Sequence, residues 1–410
     1  MNRPRFRHTL HAAVLTGIAA LAVALGATPA TADPSPYAEP NAQQQLQQLA
    51  DYINGGTRGK AIVWGTDGGL GGTGSACTSG SGAGSGNGSG DCYSDSGSSS
   101  GSSGGYAKDT TEWGPAMTAF LPAFAYSFLH PDAAPPGTND WNCKPTAAHP
   151  RPVILVHATW LDAYADYAGM SQQITDAGFC TFTFNYGRSN MLEGGGLGSL
   201  LPNIQATGYI QDSAKQLSTF VDRVLAATGS DEVDLIGHSQ GGTMANWYTK
   251  FEGGAAKTQK LITFGATHHG TTLNGIGSLG RAVNNLGIDV LGPVEILVGH
   301  AGIQQTVGSQ FIKDLNRDGD TIAGVDYTVV ATRYDEITNP WQLTFLDAGP
   351  GATVRNITLQ DGCEQDLSDH MTMTYSPRAL SIALNALDPI QNPHLNCTFN
   401  PWLIGGGGSL

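Results

Sequence analysis

The sequence predicts an α/β fold in which a mostly parallel central sheet carries helices on both faces. Residues 153–156 are all aliphatic, which is typical of a strand buried on both sides. Residues 210–227 have apolar side chains at helical spacing, and strand-like and helix-like segments alternate through the second half of the chain. Because strands that alternate with helices form parallel sheets, we expect one domain to hold them all.

The remaining elements are predicted in the same way. Strands are expected over residues 179–186, 261–265, 327–332 and 354–359, and helices over residues 113–130, 164–177 and 379–387. Pro135, Pro136 and Gly137 mark a turn. Two apolar segments, residues 191–201 and 273–303, are expected to line a pocket or to form a small cap or lid region.

Residues 1–32 have the composition of a secretory signal peptide. Three arginines precede an apolar run over residues 12–27, and a small-residue cleavage site ends at Ala32. The apolar run is shorter than the roughly 20 residues that a membrane-spanning helix needs. We therefore expect cleavage near Ala32 and secretion of the mature chain.

Composition and charge exclude some kinds of protein. Hydrophobic residues make up 40% of the chain, which favours a folded protein over a disordered one. The formal net charge is −14, whereas a nucleic-acid-binding surface would need a basic patch. No nucleic-acid partner is expected, and the chain is expected to be a monomer.

The six cysteines are an even number, as expected for disulfide bonds in a secreted chain. They can pair in many ways, and we expect pairing between neighbours along the chain: Cys77–Cys92, Cys143–Cys180 and Cys363–Cys397. No C-x-x-C spacing is present, so no zinc site is expected. Residues 314–320 imitate the first half of a calcium loop, but Val325 stands where a glutamate is required. Neither a metal nor another cofactor is predicted.

The most informative segment is residues 233–242, with the sequence VDLIGHSQGG. It combines a short apolar strand with a G-x-S-x-G turn, and a helix-compatible run follows over residues 243–251. In such a turn the serine stands on a sharp bend, and Gly237 and Gly241 leave the space that the bend requires. This nucleophile elbow is how α/β-hydrolases present a reactive serine, so Ser239 is predicted to be a nucleophile.

A serine nucleophile needs a base, and the base needs an acid that orients it. In this fold the acid follows the serine along the chain and the histidine follows the acid. Asp335 lies just past the predicted strand at residues 327–332 and is the first choice for the acid. Glu336 is the alternative beside it, and Asp361 also lies just after a predicted strand.

The base is expected on a loop after the last strand, where His370 is the best placed histidine. His394 is the alternative, although it follows the predicted final helix. His268 and His269 come too early in the chain order.

An oxyanion hole needs two donors aimed at the developing negative charge. The residue after the nucleophile supplies one of them, here the backbone N–H of Gln240. The loop after the first strand of the sheet supplies the other. We assign it to the backbone N–H of Thr159, to which the Thr159 hydroxyl could add.

Taken together, these segments resemble the secreted actinobacterial triacylglycerol lipases called class 2 lipases, which have the α/β-hydrolase fold and are related to yeast-type lipase B enzymes. The matching segments are PPGTNDWNC (135–143), PVILVH (152–157), NYG (185–187), DLIGHSQGG (234–242), HGTT (269–272), TRYDE (332–336) and DLSDH (366–370). The resemblance covers roughly residues 110–390. It implies a triad of Ser239, Asp335 and His370. It also implies the disulfide bonds Cys143–Cys180 and Cys363–Cys397.

One position departs from that pattern. Members of the family resembled here have a His-Gly-Thr sequence at the oxyanion loop, whereas this chain has His157-Ala158-Thr159. If the backbone at Ala158 must adopt a positive φ, alanine would cost of order 1 kcal/mol or displace the donor. Ala158 is therefore the expected weak point of the oxyanion hole.

The chain is expected to divide into four parts. They are a signal peptide (1–32), an N-terminal extension (33–110) with a flexible Gly/Ser-rich loop (68–105), an α/β-hydrolase catalytic domain (111–403) and a Gly-rich tail (404–410).

These observations predict a secreted serine hydrolase that cleaves carboxylic esters of lipids through an acyl-enzyme, as a triacylglycerol lipase or esterase does. Its partner would be the ester substrate, met through transient contact with a lipid–water interface. The same triad would also suit a short-chain carboxylesterase, a polyester hydrolase or an acyltransferase. Outside the enzymes, the alternative is a non-catalytic surface-binding protein that lost activity through Ala158.

Overall fold

A six-stranded parallel sheet forms the centre of the molecule in the computed structural model, which describes residues 106–272 and 294–405. The strands of these residues are β1 (Tyr106–Lys108), β2 (Val153–Val156), β3 (Thr181–Thr183), β4 (Asn185–Arg188), β5 (Val233–His238), β6 (Thr258–Phe264), β7 (Asp326–Ala331) and β8 (Thr353–Thr358). The order across the large sheet is β3-β2-β5-β6-β7-β8, and every pairing in it is parallel. β1 and β4 form a separate antiparallel pair.

The helices cover both faces of this sheet. They are α1 (Phe120–Leu129), α2 (Ala163–Tyr167), α3 (Ser171–Asp176), α4 (Ile210–Thr228), α5 (Gln240–Phe251), α6 (Val294–Gln304), α7 (Gln310–Asn316) and α8 (Pro377–Leu387). Successive side chains of a strand point to opposite faces. Accordingly, Ile154 and Val156 share a buried cluster with α4 and α5, whereas Val153 and Leu155 share one with α3 and α8. The predicted fold class is confirmed.

Helix α4 shows how the local sequence sets an element. Its buried side chains include Ala214, Leu217, Val221 and Val224, which recur at the spacing of one helix face. The helix ends at Gly229, whose left-handed φ of 79° a side chain would oppose. The predicted helix is thus present with nearly the predicted bounds.

Two predicted elements are each divided in the structure. The helix predicted over residues 164–177 is the pair α2 and α3, which are separated at Gly169, a residue with low helix propensity. The strand predicted over residues 179–186 is β3 and β4, which lie in different sheets. The side chain of Asn139 binds both backbone groups of Thr183, the last residue of β3: it accepts the N–H at 2.8 Å and donates to the carbonyl at 2.9 Å.

Two of the three expected disulfides lie in the described residues. Cys143 pairs with Cys180 and Cys363 with Cys397, with sequence separations of 37 and 34. In the chain-entropy model, closing a loop of such length stabilises the folded chain by about 3–4 kcal/mol. Disulfides persist in oxidising compartments, so both bonds favour an extracellular or otherwise oxidising environment.

Some sequence predictions lie outside the described residues. They are the signal peptide (1–32), the extension up to residue 105 with its Gly/Ser-rich loop, the Cys77–Cys92 bond, residues 273–293 of the second cap segment and residues 406–410 of the tail. Among the helices that are described, none has the length and apolar character needed to cross a membrane.

Candidate active site

Ser239 stands on a sharp bend between β5 and α5. Its backbone has φ 53° and ψ −124°, a conformation that costs free energy in a non-glycine residue and that clusters at functional sites. A Cβ at Gly237 would lie 2.5 Å from the backbone of Gly242, and a Cβ at Gly241 would lie 2.1 Å from the carbonyl oxygen of Val156. Both positions therefore exclude any side chain, which is the physical reason for the two glycines of the G-x-S-x-G motif.

His370 and Asp335 form a buried hydrogen-bonded pair. The Nδ1 atom of His370 lies 3.0 Å from each carboxylate oxygen of Asp335, and the two residues are 2% and 3% exposed. The Asp335 Oδ1 atom also accepts the backbone N–H groups of Ile337, at 3.0 Å, and Thr338, at 2.6 Å. These donors fix the carboxylate, and the carboxylate fixes the imidazole ring.

The end of β6 brings this pair and the serine elbow together. The carbonyl of Phe264 accepts the backbone N–H of Ser239 at 2.8 Å. The next residue, Gly265, has φ 54°, and a Cβ there would lie 3.1 Å from both Asp335 Oδ2 and His370 Nδ1. The loop at the end of β6 thus contacts both the main chain of Ser239 and the His370–Asp335 pair at the carboxyl edge of the sheet.

The charges around His370 set its basicity. Burial lowers the pKa of His370, but the charge and hydrogen bond of Asp335 raise it, and the charges of Glu336 and Asp369 add to this effect. The net result is a pKa above the ordinary value for histidine. His370 is therefore well suited to accept a proton.

The alternative acids and the alternative base lie in other positions. Glu336 accepts the backbone N–H of His370 at 3.2 Å, so it borders the pair without contacting the ring. Asp361 is exposed and pairs with Arg333 at 2.6 Å. His394 is exposed in the segment after α8.

The two residues that are predicted to supply the oxyanion donors are in side-chain contact. Gln240 is the first residue of α5, where backbone N–H groups have no acceptor within the helix. Across residues 106–272 and 294–405, the backbone N–H groups of Gln240 and Thr159 have no hydrogen-bond acceptor. The Thr159 hydroxyl donates to Gln240 Oε1 at 2.6 Å and accepts from Gln305 Nε2 at 2.9 Å. Its single proton is therefore engaged, and the two backbone groups are the available donors.

A comparison with known families decides the class of protein. Residues 150–378 match the model of the family described as Lipase (class 2). The chain belongs to this family. Class 2 lipases are carboxylic ester hydrolases, and the chain is an enzyme of that type.

Solved structures of other lipases are also similar to this class 2 lipase. Aspergillus fumigatus lipase B is 19% identical over 62% of this chain, with a TM-score of 0.46, and the match takes in 55% of that chain. The mature form of Bacillus licheniformis lipase BlEst2 is 16% identical over 59% of this chain and 94% of its own, with a TM-score of 0.40.

Ala158, the departure from the family pattern, is accommodated in this lipase. The residue of the oxyanion loop with a positive φ is Trp160, at 61°, and not Ala158. The methyl group of Ala158 is buried in an apolar cluster that includes Leu161 and Tyr375. The condition under which alanine would weaken the oxyanion hole, a positive φ, is therefore not met.

The calcium-like segment of the lipase is the end of a helix followed by a turn. Asp320 accepts the backbone N–H of Asp347 at 2.7 Å and lies 3.1 Å from His269 Nε2. Within the two described ranges, no group of three or more His, Cys, Asp or Glu side chains is arranged to hold a metal ion.

Several residues around the site were not predicted from the sequence. They are Asp166, His238, Gly265 and Gln305, all of which contact the predicted site residues or their loops. Only His238 carried a signal, since it lies inside the G-x-S-x-G motif. The other three reach the site through tertiary packing, which no short motif records.

Proposed function

We propose that this class 2 lipase is a secreted serine hydrolase that cleaves the carboxylic esters of lipids, triacylglycerols foremost, through an acyl-enzyme. The observation that carries the proposal is the buried His370–Asp335 pair beside a serine held at a positive φ. A serine, a histidine and a carboxylate in these relations form the catalytic triad of acyl transfer.

In the proposed reaction, Ser239 Oγ attacks the ester carbonyl carbon and His370 Nε2 accepts the serine proton. Asp335 holds the proton on Nδ1, which leaves Nε2 free to act as the base. The carbonyl oxygen becomes an oxyanion that the backbone N–H groups of Gln240 and Thr159 stabilise. The C–O bond to the alcohol then breaks, His370 protonates the leaving alcohol, and a water molecule releases the acid by the same steps.

Exposed apolar side chains support contact with a lipid surface. Leu121 and Leu129 of α1 are 44% and 72% exposed, and Trp402 and Ile404 are each 51% exposed. The carbonyl of Ile404 accepts the N–H of Phe120 at the start of α1, so these side chains belong to neighbouring segments. Grouped apolar exposure of this kind is typical of an interaction surface.

Secretion is part of the proposal. It is supported by the basic and apolar pattern of residues 1–32 and by the two disulfides, which suit an oxidising compartment.

The substrate class is tested by a chain-length series of p-nitrophenyl esters together with triacylglycerol emulsions. A lipase is expected to release fatty acid from the emulsion, and a fluorophosphonate probe is expected to label Ser239. Turnover of short soluble esters alone would indicate a carboxylesterase, and faster transfer to an added alcohol than to water would indicate an acyltransferase. Absence of labelling in a folded protein would contradict the proposed function.

The pH dependence should respond to Glu336. Burial raises the pKa of Glu336 to about 7, and the nearby charges of Asp369 and Asp335 add to this effect. In its charged form Glu336 raises the pKa of His370. Glu336→Gln keeps an acceptor for the His370 N–H but removes the charge. His370 should then lose its proton at lower pH, and the acid limb of kcat/KM should shift downward by a few tenths of a pH unit.

The measurement is a pH profile of p-nitrophenyl ester hydrolysis. Glu364→Gln is the matched control, because Glu364 is exposed and pairs with Arg333 at 3.1 Å. An acid limb that stays in place or moves to higher pH in Glu336→Gln would refute the assigned electrostatic effect.

A further inference from the structure

A second histidine–aspartate pair lies behind the acid–base pair. The Nδ1 atom of His238 is 2.7 Å from Oδ1 of Asp166, and both side chains are fully buried, at 0% exposure. The ring of His238 lies 5.0 Å, centroid to centroid, from the ring of His370. The steps of the proposed reaction leave this pair without a role.

Both ring nitrogens of His238 face acceptors. Nδ1 faces the Asp166 carboxylate, and Nε2 lies 2.9 Å from the backbone carbonyl oxygen of His370. The other carboxylate oxygen of Asp166 accepts the backbone N–H of Ala158 at 2.7 Å. A carbonyl oxygen can only accept, so Nε2 of His238 donates to the His370 carbonyl. Nδ1 shares a hydrogen bond with the Asp166 side chain, so both ring nitrogens of His238 are engaged.

The neighbouring His157 shows the contrast. Its Nδ1 donates to the carbonyl of Ala158 at 2.9 Å, whereas its Nε2 accepts the backbone N–H of Tyr186 at 3.4 Å. One donor and one acceptor describe a neutral ring. Consistently, burial lowers the pKa of His157 to about 4.

The pair connects the three segments that meet at the site. Asp166, on α2, holds the backbone next to Thr159 through the N–H of Ala158. His238 is the last residue of β5 and directly precedes Ser239. The His370 carbonyl that it binds belongs to the loop of the base. Since Glu336 accepts the His370 N–H, the main chain of His370 is held on both sides.

We propose that Asp166 and His238 are positioning residues for ester hydrolysis, whose buried hydrogen-bonded pair fixes the main chain of His370 relative to Ser239 and the oxyanion loop. The proposal rests on the proposed function of the same site. Its physical basis is the steep dependence of rate on alignment, since a misplacement of about 1 Å can cost roughly 100-fold.

Two substitutions of His238 separate positioning from stability. The amide nitrogen of asparagine occupies the place of Nδ1, so His238→Asn keeps a donor toward Asp166 and loses the donor toward His370. The amide nitrogen of glutamine occupies the place of Nε2, so His238→Gln keeps the donor toward the His370 carbonyl. Both variants lose one of the two hydrogen bonds of the His238 ring and should have a lower Tm.

The expected result is a difference in kcat between these variants. Per active site titrated with a fluorophosphonate, His238→Asn should lose about 100-fold in kcat with KM changed less than about twofold. His238→Gln should recover at least about tenfold of that loss. A merely structural pair would lower Tm in both and leave their kcat values equal. Equal values, or wild-type kcat in His238→Asn, would overturn the proposal.

His149→Gln is the control, because it disrupts a histidine–aspartate pair that lies outside the site. His149 is 7% exposed and its Nε2 lies 3.1 Å from Asp388, away from the segments that carry the triad. This variant should lose stability and keep kcat. Failure of the proposed function would be recognised separately, because the wild-type protein itself would then hydrolyse no ester.

A measurement on the wild-type protein covers the case in which the His238 variants do not fold. In ¹⁵N spectra of histidine-labelled protein, the Nε2 atom of His238 should carry a proton. A His238 ring without a proton on Nε2 would overturn the proposal, because the hydrogen bond to the His370 carbonyl would then not exist.

Discussion

Replacing Ser239 with alanine is expected to lower kcat for ester hydrolysis by roughly 10⁵- to 10⁶-fold while the protein stays folded. In the proposed reaction the serine Oγ forms the covalent bond to the acyl group, and the methyl group of alanine cannot form it. Residual hydrolysis would come from the oxyanion donors and substrate binding alone. The measurement is single-turnover and steady-state hydrolysis of a p-nitrophenyl ester, with Tm as the test of folding.

Ser171→Ala is the matched control for this change. Ser171 is fully buried and its hydroxyl donates to the Pro136 carbonyl at 2.8 Å, outside the site. The control should lose about 1 kcal/mol of stability and keep its kcat. If Ser239→Ala kept more than a few per cent of wild-type turnover, Ser239 would not be the nucleophile.

Replacing Asp335 with asparagine is expected to lower kcat by about 10⁴-fold with little change in KM. The amide would still accept the N–H groups of Ile337 and Thr338, so the loop should keep its conformation. It would no longer bind the Nδ1–H of His370 as an anion, and the ring would adopt the tautomer that presents a proton to Ser239. The acid limb of kcat/KM should also move to lower pH, because Asp335 raises the pKa of His370.

Asp361→Asn serves as the control, since Asp361 is exposed and pairs with Arg333. It should keep wild-type kcat. A loss of less than about tenfold in Asp335→Asn would transfer the role of the acid to Glu336, whose carboxylate borders the His370 backbone.

Much of the fold was predictable because the relevant constraints are local. The four aliphatic side chains of residues 153–156 point to both faces of a strand and favour burial on both, and the structure has β2 with these bounds. The periodicity of residues 210–227 predicts α4 for a similar reason. The division of residues 179–186 was missed because it depends on pairing partners elsewhere in the chain: β3 pairs with β2, whereas β4 pairs with β1.

The candidate acid and base could be predicted because each lies on a loop that follows a predicted strand of the parallel sheet. The loops that carry Asp335 and His370 follow β7 and β8, and parallel strands deliver such loops to the same edge of the sheet. Asp166 was not predictable, because it reaches His238 across 72 residues and through a different helix. Gln305 reaches Thr159 across 146 residues, and nothing in either local sequence records the contact.

Local sequence was enough to predict the parallel sheet, the serine elbow and the chain order of the candidate acid and base, since each follows from neighbouring residues or from strand succession. Only the tertiary structure decided that Asp335, and not Glu336, binds the His370 ring. It alone showed that Ala158 takes no positive φ, because the bend of that loop falls at Trp160. The physical reason is the same in each case: side-chain direction and backbone angles depend on packing partners that lie far away along the chain.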